Sequence, residues 1–238
     1  KNILKQTYNN FEFIIVYTPS DDKTFEIIKK YKSYINKIIV NYDVGIYQSM
    51  NLGSYFASGD YINFMNSGDY FYNRNIIKKL FIKKKKYDVI FGDCEIYYEK
   101  FKRLIVAKPL NDLSKGMCFS HQSCFVKTLV QRKYHFNKEY FYSADFEFFC
   151  KIYKKKKKFT YCNQIISRCM SNGIVDRKKH ITLLQNLKIR KKYFRTKLNS
   201  LKIFFFYIYI FYQFILYFLK LVVPKFLLNY LLKIKYSK

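Results

Sequence analysis

Aspartates follow three strand-like segments of this sequence, at the points where those strands end. Asp21 and Asp22 come after the first segment, Asp43 after the second and Asp69 after the third. Because ligands of parallel sheets bind beyond the carboxyl ends of the strands, these carboxylates are expected to gather at one edge. Hard cations prefer oxygen ligands, so Mg²⁺ or Mn²⁺ could bridge them to a diphosphate. Each Asp could instead cap the following helix; the two interpretations weigh equally for Asp22, whereas chemistry is favoured for Asp69 inside NSGD.

Another carboxylate that could take part in catalysis stands at the start of a predicted helix. Residues 142–153 (YSADFEFFCKIY) have helical spacing, with Ser143 or Asp145 at the beginning. The helix dipole favours a carboxylate in the first turn, so Asp145 is expected to be ionised near neutral pH. That suits a general base and equally suits a cap. Upstream, the polar pair His121–Gln122 interrupts an otherwise apolar stretch, 120–125.

The elements that must position these side chains alternate between strand and helix through the first half of the chain. The predicted strands are 11–17, 37–40, 60–65 and 87–91, and the predicted helices are 22–34, 46–57 and 73–81. Further short strands are predicted at 93–98 and 103–107. Such alternation indicates an α/β fold with a mostly parallel sheet and helices on its faces.

The six cysteines do not have the spacing of a zinc site. None forms a C-x-x-C pair, and only His121 lies near two of them, Cys118 and Cys124. Paired ligand spacing is expected of structural zinc. Small apolar thiols in a reducing compartment are the favoured interpretation.

The net charge points to an anionic partner. Lys and Arg number 45 against 16 Asp and Glu, a formal charge of +29, and the 62 residues after Asp176 contain 15 Lys or Arg and no acid. Nucleic acid, acidic lipid or phosphorylated substrates would all fit such a charge. The sequence contains no RNP-like block, zinc finger or recognition-helix motif, so a nucleic-acid-binding protein is the disfavoured alternative.

The last third of the chain differs in kind from the rest. A basic helical stretch, 176–195, precedes an apolar run at 203–219 and a second one at 221–232. The first run would extend roughly 25 Å as a helix, which is marginal for crossing a bilayer. Its tyrosines and flanking lysines suit a lipid interface, and basic neighbours suit anionic lipid. Contact with the membrane is favoured over packing against the sheet, and crossing or lying flat stays open.

Four blocks of the sequence resemble the bacterial family 2 glycosyltransferases of the GT-A fold, especially the short enzymes of lipopolysaccharide, capsule and exopolysaccharide synthesis. The likeness covers roughly residues 3–170. The blocks are ILKQTYNNFEFIIV, SDDKT, DVGIYQSMNLGSYFASGDYINFMNSGDYF, and SHQSCFVK followed by YSADFEFF.

The resemblance implies a GT-A domain at 1–175. The charge and the apolar runs of residues 176–238 indicate a basic, apolar helical tail, which is expected to associate with the cytoplasmic face of the plasma membrane. The resemblance also implies transfer of a sugar from a nucleotide-diphosphate sugar to a hydroxyl of a lipid-linked or saccharide acceptor, with inversion. Mn²⁺ or Mg²⁺ would neutralise charge on the leaving diphosphate. Asp69 falls on the family's metal ligand, with Asn66 at the degenerate first position, and Asp145 falls on the family's base.

The remaining site residues follow from the same alignment of motifs. Asp22, Asp43 and Asn51, like Asn66, fall on donor-side positions of the family. His121 and Gln122 fall on the acceptor side of the cleft. All these roles are implied by the resemblance.

The sequence also departs from the family pattern. The Asp that usually ends the second strand is Tyr17 here, and the Asp of the G-I-Y-D block is Gln48. The family's first strand would precede Lys1, so the chain is expected to be truncated at its N-terminus. A truncated or inactive transferase remnant is the main alternative to an active enzyme.

Overall fold

The computed structural model describes residues 2–43, 45–82, 86–98, 101–171, 178–194 and 200–222. The predicted boundary at 175 and nearly all of the second apolar run lie outside these residues.

Strands and helices largely alternate through the first half of the described chain, as the sequence predicts, and the later elements follow a less regular order. The strands are β1 (Ile14–Tyr17), β2 (Lys37–Val40), β3 (Tyr61–Ile62), β4 (Tyr70–Phe71), β5 (Val89–Tyr97), β6 (Lys102–Ile105), β7 (Cys124–Lys127) and β8 (Phe159–Met170). The helices are α1 (Thr24–Lys30), α2 (Ile46–Phe56), α3 (Ile76–Phe81), α4 (Thr128–Tyr134), α5 (Ala144–Lys154), α6 (Lys179–Phe194) and α7 (Ser200–Val222).

The described strands form two sheets, and the larger one is mixed. β1 and β2 pair in parallel. The larger sheet has the order β3-β7-β5-β8-β4. β7 pairs with the first residues of β5, from Val89 to Phe91, and β6 pairs with the last ones, from Cys94 to Tyr97. Only β5 and β8 are parallel in it, whereas the other pairs are antiparallel. The expectation of a mostly parallel sheet was therefore wrong, because β6 and β7 run antiparallel to β5, and β3 and β4 run antiparallel to β7 and β8.

Three strands of the larger sheet, β4, β7 and β8, were not predicted. β4 has only two residues, and β8 contains the polar stretch YCNQ, so neither shows a clear apolar pattern. The predicted strand 60–65 is reduced to β3. Beyond it, the Asn63 side-chain amide donates to the backbone carbonyls of Gln122 (2.9 Å) and Cys124 (2.8 Å), so a side chain replaces the next rung of the ladder.

The main core lies between the larger sheet and α5. Phe148, Phe149 and Ile152 are almost wholly buried, as the helical spacing of 142–153 predicts. Burying each such side chain contributes about 1.5–3 kcal/mol. This packing fixes α5, and with it the position of Asp145 in the first turn.

The C-terminal helices pack on one another and on α5. Glu147 of α5 is fully buried; its carboxylate lies 3.7 Å from Lys192 Nζ and accepts a hydrogen bond from Tyr193 of α6. Lys178 Nζ donates to Tyr217 of α7 (2.6 Å), and the ring of His180 packs on Tyr217. Within the residues described, no helix combines the length and apolarity needed to traverse a bilayer.

Candidate active site

Asp69 lies in a tight turn, residues 66–69, a few residues after the end of β3. The Asp69 backbone N–H donates to the Asn66 carbonyl (3.0 Å), and Gly68 within the turn has φ of +89°. Glycine adopts that left-handed conformation without the steric cost that a Cβ brings. A Cβ at Gly68 would also lie 3.3 Å from Met170 Cγ. The NSGD turn is thus shaped by glycine so that it presents Asp69.

Both carboxylate oxygens of Asp69 are held by parts of the chain that are distant in sequence. The Met170 backbone N–H donates to Oδ1 (3.1 Å), and Gln122 Nε2 donates to Oδ2 (2.9 Å). The Gln122 amide is itself oriented, because Ser120 Oγ donates to its Oε1 (2.5 Å). Asp69 is therefore fixed in one orientation while each oxygen keeps lone-pair capacity for a further partner.

The carboxylate of Asp145 has three partners. Tyr47 Oη donates to Oδ1 (3.0 Å), the Phe146 backbone N–H donates to Oδ1 (2.8 Å), and His121 Nδ1 lies 3.2 Å from Oδ2. Burial pushes the pKa of Asp145 up, but the hydrogen bonds from His121, Phe146 and Tyr47 outweigh it and leave that pKa below its usual value. Asp145 is thus ionised at neutral pH, as a general base must be.

Adjacent residues connect the two carboxylates. His121 and Gln122 share one short 3₁₀ turn, His121–Ser123, and they contact Asp145 and Asp69 respectively. The other ring nitrogen of His121, Nε2, lies 3.5 Å from Asn66 Nδ2. In the neutral ring with its proton on Nδ1, that nitrogen donates to Asp145 and Nε2 accepts from the Asn66 amide. Five predicted site residues therefore form one connected group: Asn66, Asp69, His121, Gln122 and Asp145.

Asp22 and Asp43 lie apart from this group, on the side of β1 and β2. Asp22 Oδ1 accepts from the Thr24 N–H (2.9 Å) and from Ser20 Oγ (2.7 Å), and these bonds lower the pKa of Asp22. Asp22 stands one residue before Lys23, the N-cap of α1, and its bond to the Thr24 N–H is a local turn bond, which favours a local structural role. Asp43 is exposed, and its backbone is held by the Asn41 side chain. In the described chain, no hydrogen bond or ion pair connects either Asp to the central group.

Asn51 has both ends of its amide engaged by backbone. Its Nδ2 donates to the Phe136 carbonyl and its Oδ1 accepts from the Phe136 N–H, both at 2.9 Å. This pairing ties α2 to the segment after α4. It favours a bracing role, and the donor-side role implied by the resemblance stays a prediction.

Two contacts of the site escaped the sequence analysis. Tyr47 reaches Asp145 across 98 positions, and Met170 reaches Asp69 across 101. Tyr47 stands inside the quoted GIYQSMN block, but nothing local connects it to Asp145. Met170 contributes only backbone, from a strand without a clear pattern, so no side-chain signal could reveal it.

The residues at the NSGD turn fit a metal that is shared with substrate. Among the residues described, no group of three or more His, Cys, Asp and Glu could hold a metal ion by themselves. Asp69 supplies a fixed carboxylate, and Asn66 an amide oxygen three residues before it. Mg²⁺ is typically held by one or two carboxylates with substrate phosphates and water as the other ligands. This donor set suits that arrangement and does not form a closed cage.

Comparisons with known sequences agree on one family. The profile described as Glycosyl transferase family 2 matches residues 1–184. Glycosyltransferase GlyG of Streptococcus pneumoniae is 34% identical over 104 residues, covering 42% of this chain and 34% of that protein. An Escherichia coli protein named UDP-Glc:alpha-D-GlcNAc-diphosphoundecaprenol beta-1,3-glucosyltransferase WfaP is 37% identical over 102 residues, covering 42% and 40%. The matched stretches thus span well under two thirds of these relatives.

Solved structures show the same fold. Staphylococcus aureus TarS 1–349 in complex with UDP superposes with a TM-score of 0.61 at 17% identity, covering 84% of this chain and 61% of that one. The mannosyltransferase PcManGT from Pyrobaculum calidifontis, in complex with GDP-Man and Mn²⁺, gives a TM-score of 0.58 at 14% identity, covering 84% and 60%. These superpositions confirm the predicted GT-A fold. The match of the family profile to residues 1–184, most of the chain, shows that the protein belongs to glycosyl transferase family 2.

Proposed function

We propose that this protein transfers a sugar from a nucleotide-diphosphate donor to an acceptor hydroxyl, with inversion, in the synthesis of a cell-surface polysaccharide or lipopolysaccharide. The observation that carries the proposal is the connected group around the His121–Ser123 turn. It holds an ionised carboxylate, Asp145, and a second fixed carboxylate, Asp69, through neighbouring side chains. A base for the acceptor and an anchor for the donor diphosphate are what such a transfer requires.

The proposed reaction is a single displacement at the anomeric carbon. Asp145 accepts the proton of the acceptor hydroxyl, and the hydroxyl oxygen forms the new bond to the sugar. The bond between the sugar and the diphosphate breaks on the opposite face, and its electron pair leaves with the diphosphate. Positioning of the two reactants and proton transfer by Asp145 supply the rate enhancement.

We assign Asp69, with the Asn66 amide oxygen, to hold Mn²⁺ or Mg²⁺ together with the diphosphate. When bound, the cation neutralises negative charge on the leaving group. The hydrogen bonds from Met170 and Gln122 keep the Asp69 carboxylate oriented for that purpose. The donor set of the turn, with one carboxylate and one amide oxygen, supports a cation that substrate phosphates help to hold.

The relatives support the classes of donor and acceptor. The printed name of WfaP specifies UDP-glucose and a diphosphoundecaprenol-linked acceptor. The two structural neighbours hold UDP, and GDP-mannose with Mn²⁺. We accordingly propose a nucleotide-diphosphate sugar as donor and a lipid-linked saccharide as acceptor.

We also propose that the C-terminal helices rest against an anionic membrane surface at the cytoplasmic face. α7 exposes aromatic side chains on several sides, including Phe205 (60%), Phe211 (63%) and Phe218 (51%). Aromatic rings favour the lipid interface, and the basic residues of α6 would be attracted to acidic headgroups. A lipid-linked acceptor would then reach the site from the surface on which the protein rests.

Calorimetric titration of UDP and of GDP, each with and without Mn²⁺, tests the donor site. Wild type is expected to bind one of them more tightly with Mn²⁺, and Asp69→Ala to lose that metal dependence. Asp60→Ala removes an exposed carboxylate shortly before the turn and is the matched control, with unchanged binding. Metal-dependent binding that Asp69→Ala retains would overturn the assignment of Asp69.

Sedimentation with vesicles tests the membrane proposal. The chain is expected to sediment with phosphatidylglycerol vesicles and to do so much less with phosphatidylcholine. Replacing Phe205, Phe211 and Phe218 with Ser should weaken sedimentation even at low salt. Equal sedimentation of that variant would show that charge alone accounts for the attraction.

A further inference from the structure

We propose that Tyr47 is a positioning residue for the base: its hydroxyl holds Asp145 Oδ1, so that Oδ2 is the atom that takes the acceptor proton. This inference rests on the proposed role of Asp145. It assigns the two carboxylate oxygens different tasks, and it gives a residue of α2 a part in the reaction.

The hydrogen bonds at Asp145 distinguish its two oxygens. Oδ1 accepts from Tyr47 Oη at 3.0 Å and from the Phe146 N–H at 2.8 Å, so both of its lone-pair sites are occupied. Oδ2 has a single close partner among these, His121 Nδ1 at 3.2 Å. One lone-pair site of Oδ2 therefore stays available for a further partner, and the Asp145 side chain is 19% exposed.

The burial of Tyr47 and the packing of its ring keep its hydroxyl in place as the donor of this hydrogen bond. Its side chain is buried, and its ring packs on Phe136 with centroids 5.3 Å apart. Burial, together with the adjacent Asp145 charge, raises the pKa of Tyr47 far above its usual value. The hydroxyl thus stays protonated at any working pH and always has a proton to donate to Oδ1.

The position of Tyr47 connects the first turn of α2 with the proposed base. α2 begins at Ile46, directly after the segment that contains Asp43, and Tyr47 lies in its first turn. The double hydrogen bond between Asn51 and the Phe136 backbone fixes this helix. Tyr47 therefore ties the orientation of the Asp145 carboxylate to α2, a helix that is braced separately through Asn51.

The other titratable groups that face Asp145 do not replace Tyr47. His121 contacts Oδ2, and the thiols of Cys124 on β7 and Cys150 on α5 lie near enough to be affected by its charge. Burial raises the pKa of both thiols well above the usual value, so they stay neutral. Tyr47 and the Phe146 N–H are thus the two donors recorded on Oδ1.

The test compares Tyr47→Phe with wild type in release of nucleoside diphosphate from UDP-glucose, UDP-N-acetylglucosamine or GDP-mannose, whichever the protein turns over. Loss of the hydroxyl should lower kcat about tenfold with the donor KM unchanged. A hydrogen bond to the ionised form lowers a carboxyl pKa, so its loss should move the acid limb of kcat/KM up by about one pH unit. Tyr153→Phe is the control: it removes a hydroxyl from α5, the helix that contains Asp145, at a position where that hydroxyl contacts Asn111. It should change neither kcat nor the acid limb.

Two further variants distinguish loss of the Tyr47 hydrogen bond from loss of ring packing and from a wrong assignment of the base. Phe136→Leu loosens the packing of the Tyr47 ring but keeps its hydroxyl, so it should lower the melting temperature without moving the acid limb. If Tyr47→Phe leaves kcat and the acid limb as in wild type, or if Phe136→Leu moves the limb equally, the inference about Tyr47 is overturned. If Asp145→Asn keeps full turnover, the proposed base is wrong instead.

Discussion

The two groups of predicted site residues, the connected group around the His121–Ser123 turn and the aspartates beside β1 and β2, are held in different ways. On the side of the base, Asp69 and Asp145 are held by hydrogen bonds that span between 24 and 101 positions of sequence, from Tyr47, His121, Gln122 and Met170. On the side of β1 and β2, Asp22 is bonded only within its own turn and Asp43 is exposed. No residue of β1 or β2 is fully buried.

This difference indicates where the site is preorganised. Carboxylates fixed by distant partners keep their orientation before any substrate arrives, which is the condition for efficient proton transfer and charge stabilisation. Carboxylates on exposed turns must be ordered by the ligand itself. The comparison therefore predicts large catalytic effects on the first side and small ones on the second.

The largest effect is expected for Asp145→Asn. Removing a general base typically lowers turnover about 10²–10⁴-fold. The isosteric amide keeps the volume of the side chain, so nucleotide binding by titration should stay as in wild type. Turnover within threefold of wild type would refute the asymmetry between the two sides.

A smaller but still substantial loss is expected for Gly68→Ala. The φ of +89° costs an L-residue about 1–2 kcal/mol, and the added Cβ crowds Met170, whose backbone holds Asp69. Metal-dependent nucleotide affinity should fall about tenfold. Gly59→Ala is the control, since its Cβ would make only an ordinary contact at 3.7 Å. Equal binding by both variants would show that the turn tolerates a side chain.

Asn51→Ala distinguishes the two roles considered for Asn51, structural support of the segment at Phe136 and binding of the donor. Loss of both hydrogen bonds to the Phe136 backbone should lower the free energy of unfolding by about 1–3 kcal/mol in denaturant titration. Nucleotide affinity of the folded variant should change little. The opposite pattern, with intact stability and weak nucleotide binding, would support the donor-side role.

The smallest effect is expected for Asp22→Ala. The carboxylate is exposed and its bonds are local, so nucleotide affinity should change by less than about threefold. Asp43→Ala is measured alongside as the second exposed carboxylate of that side. A loss of tenfold or more in either variant would mean that a bound nucleotide orders this edge into a true part of the site.

The sequence by itself determined the family, the fold and most members of the central group. The β-branched runs predicted β2 and all of β1, the latter with three residues too many at its start. The spacing of 142–153 predicted α5, and the quoted blocks marked Asp69, His121, Gln122 and Asp145. These signals are local, because periodicity and motif lie within a few dozen residues.

Only the tertiary structure decided how the strands pair and how the carboxylates are held. The mixed sheet, the strands β4 and β8, the contact of Tyr47 with Asp145 and that of Met170 with Asp69 all join residues far apart in sequence. A polar strand such as β8 becomes a strand because β5 and β4 supply its hydrogen bonds. A carboxylate on a short turn has no fixed direction until its partners arrive from elsewhere in the fold, so its orientation is a property of packing and not of local sequence.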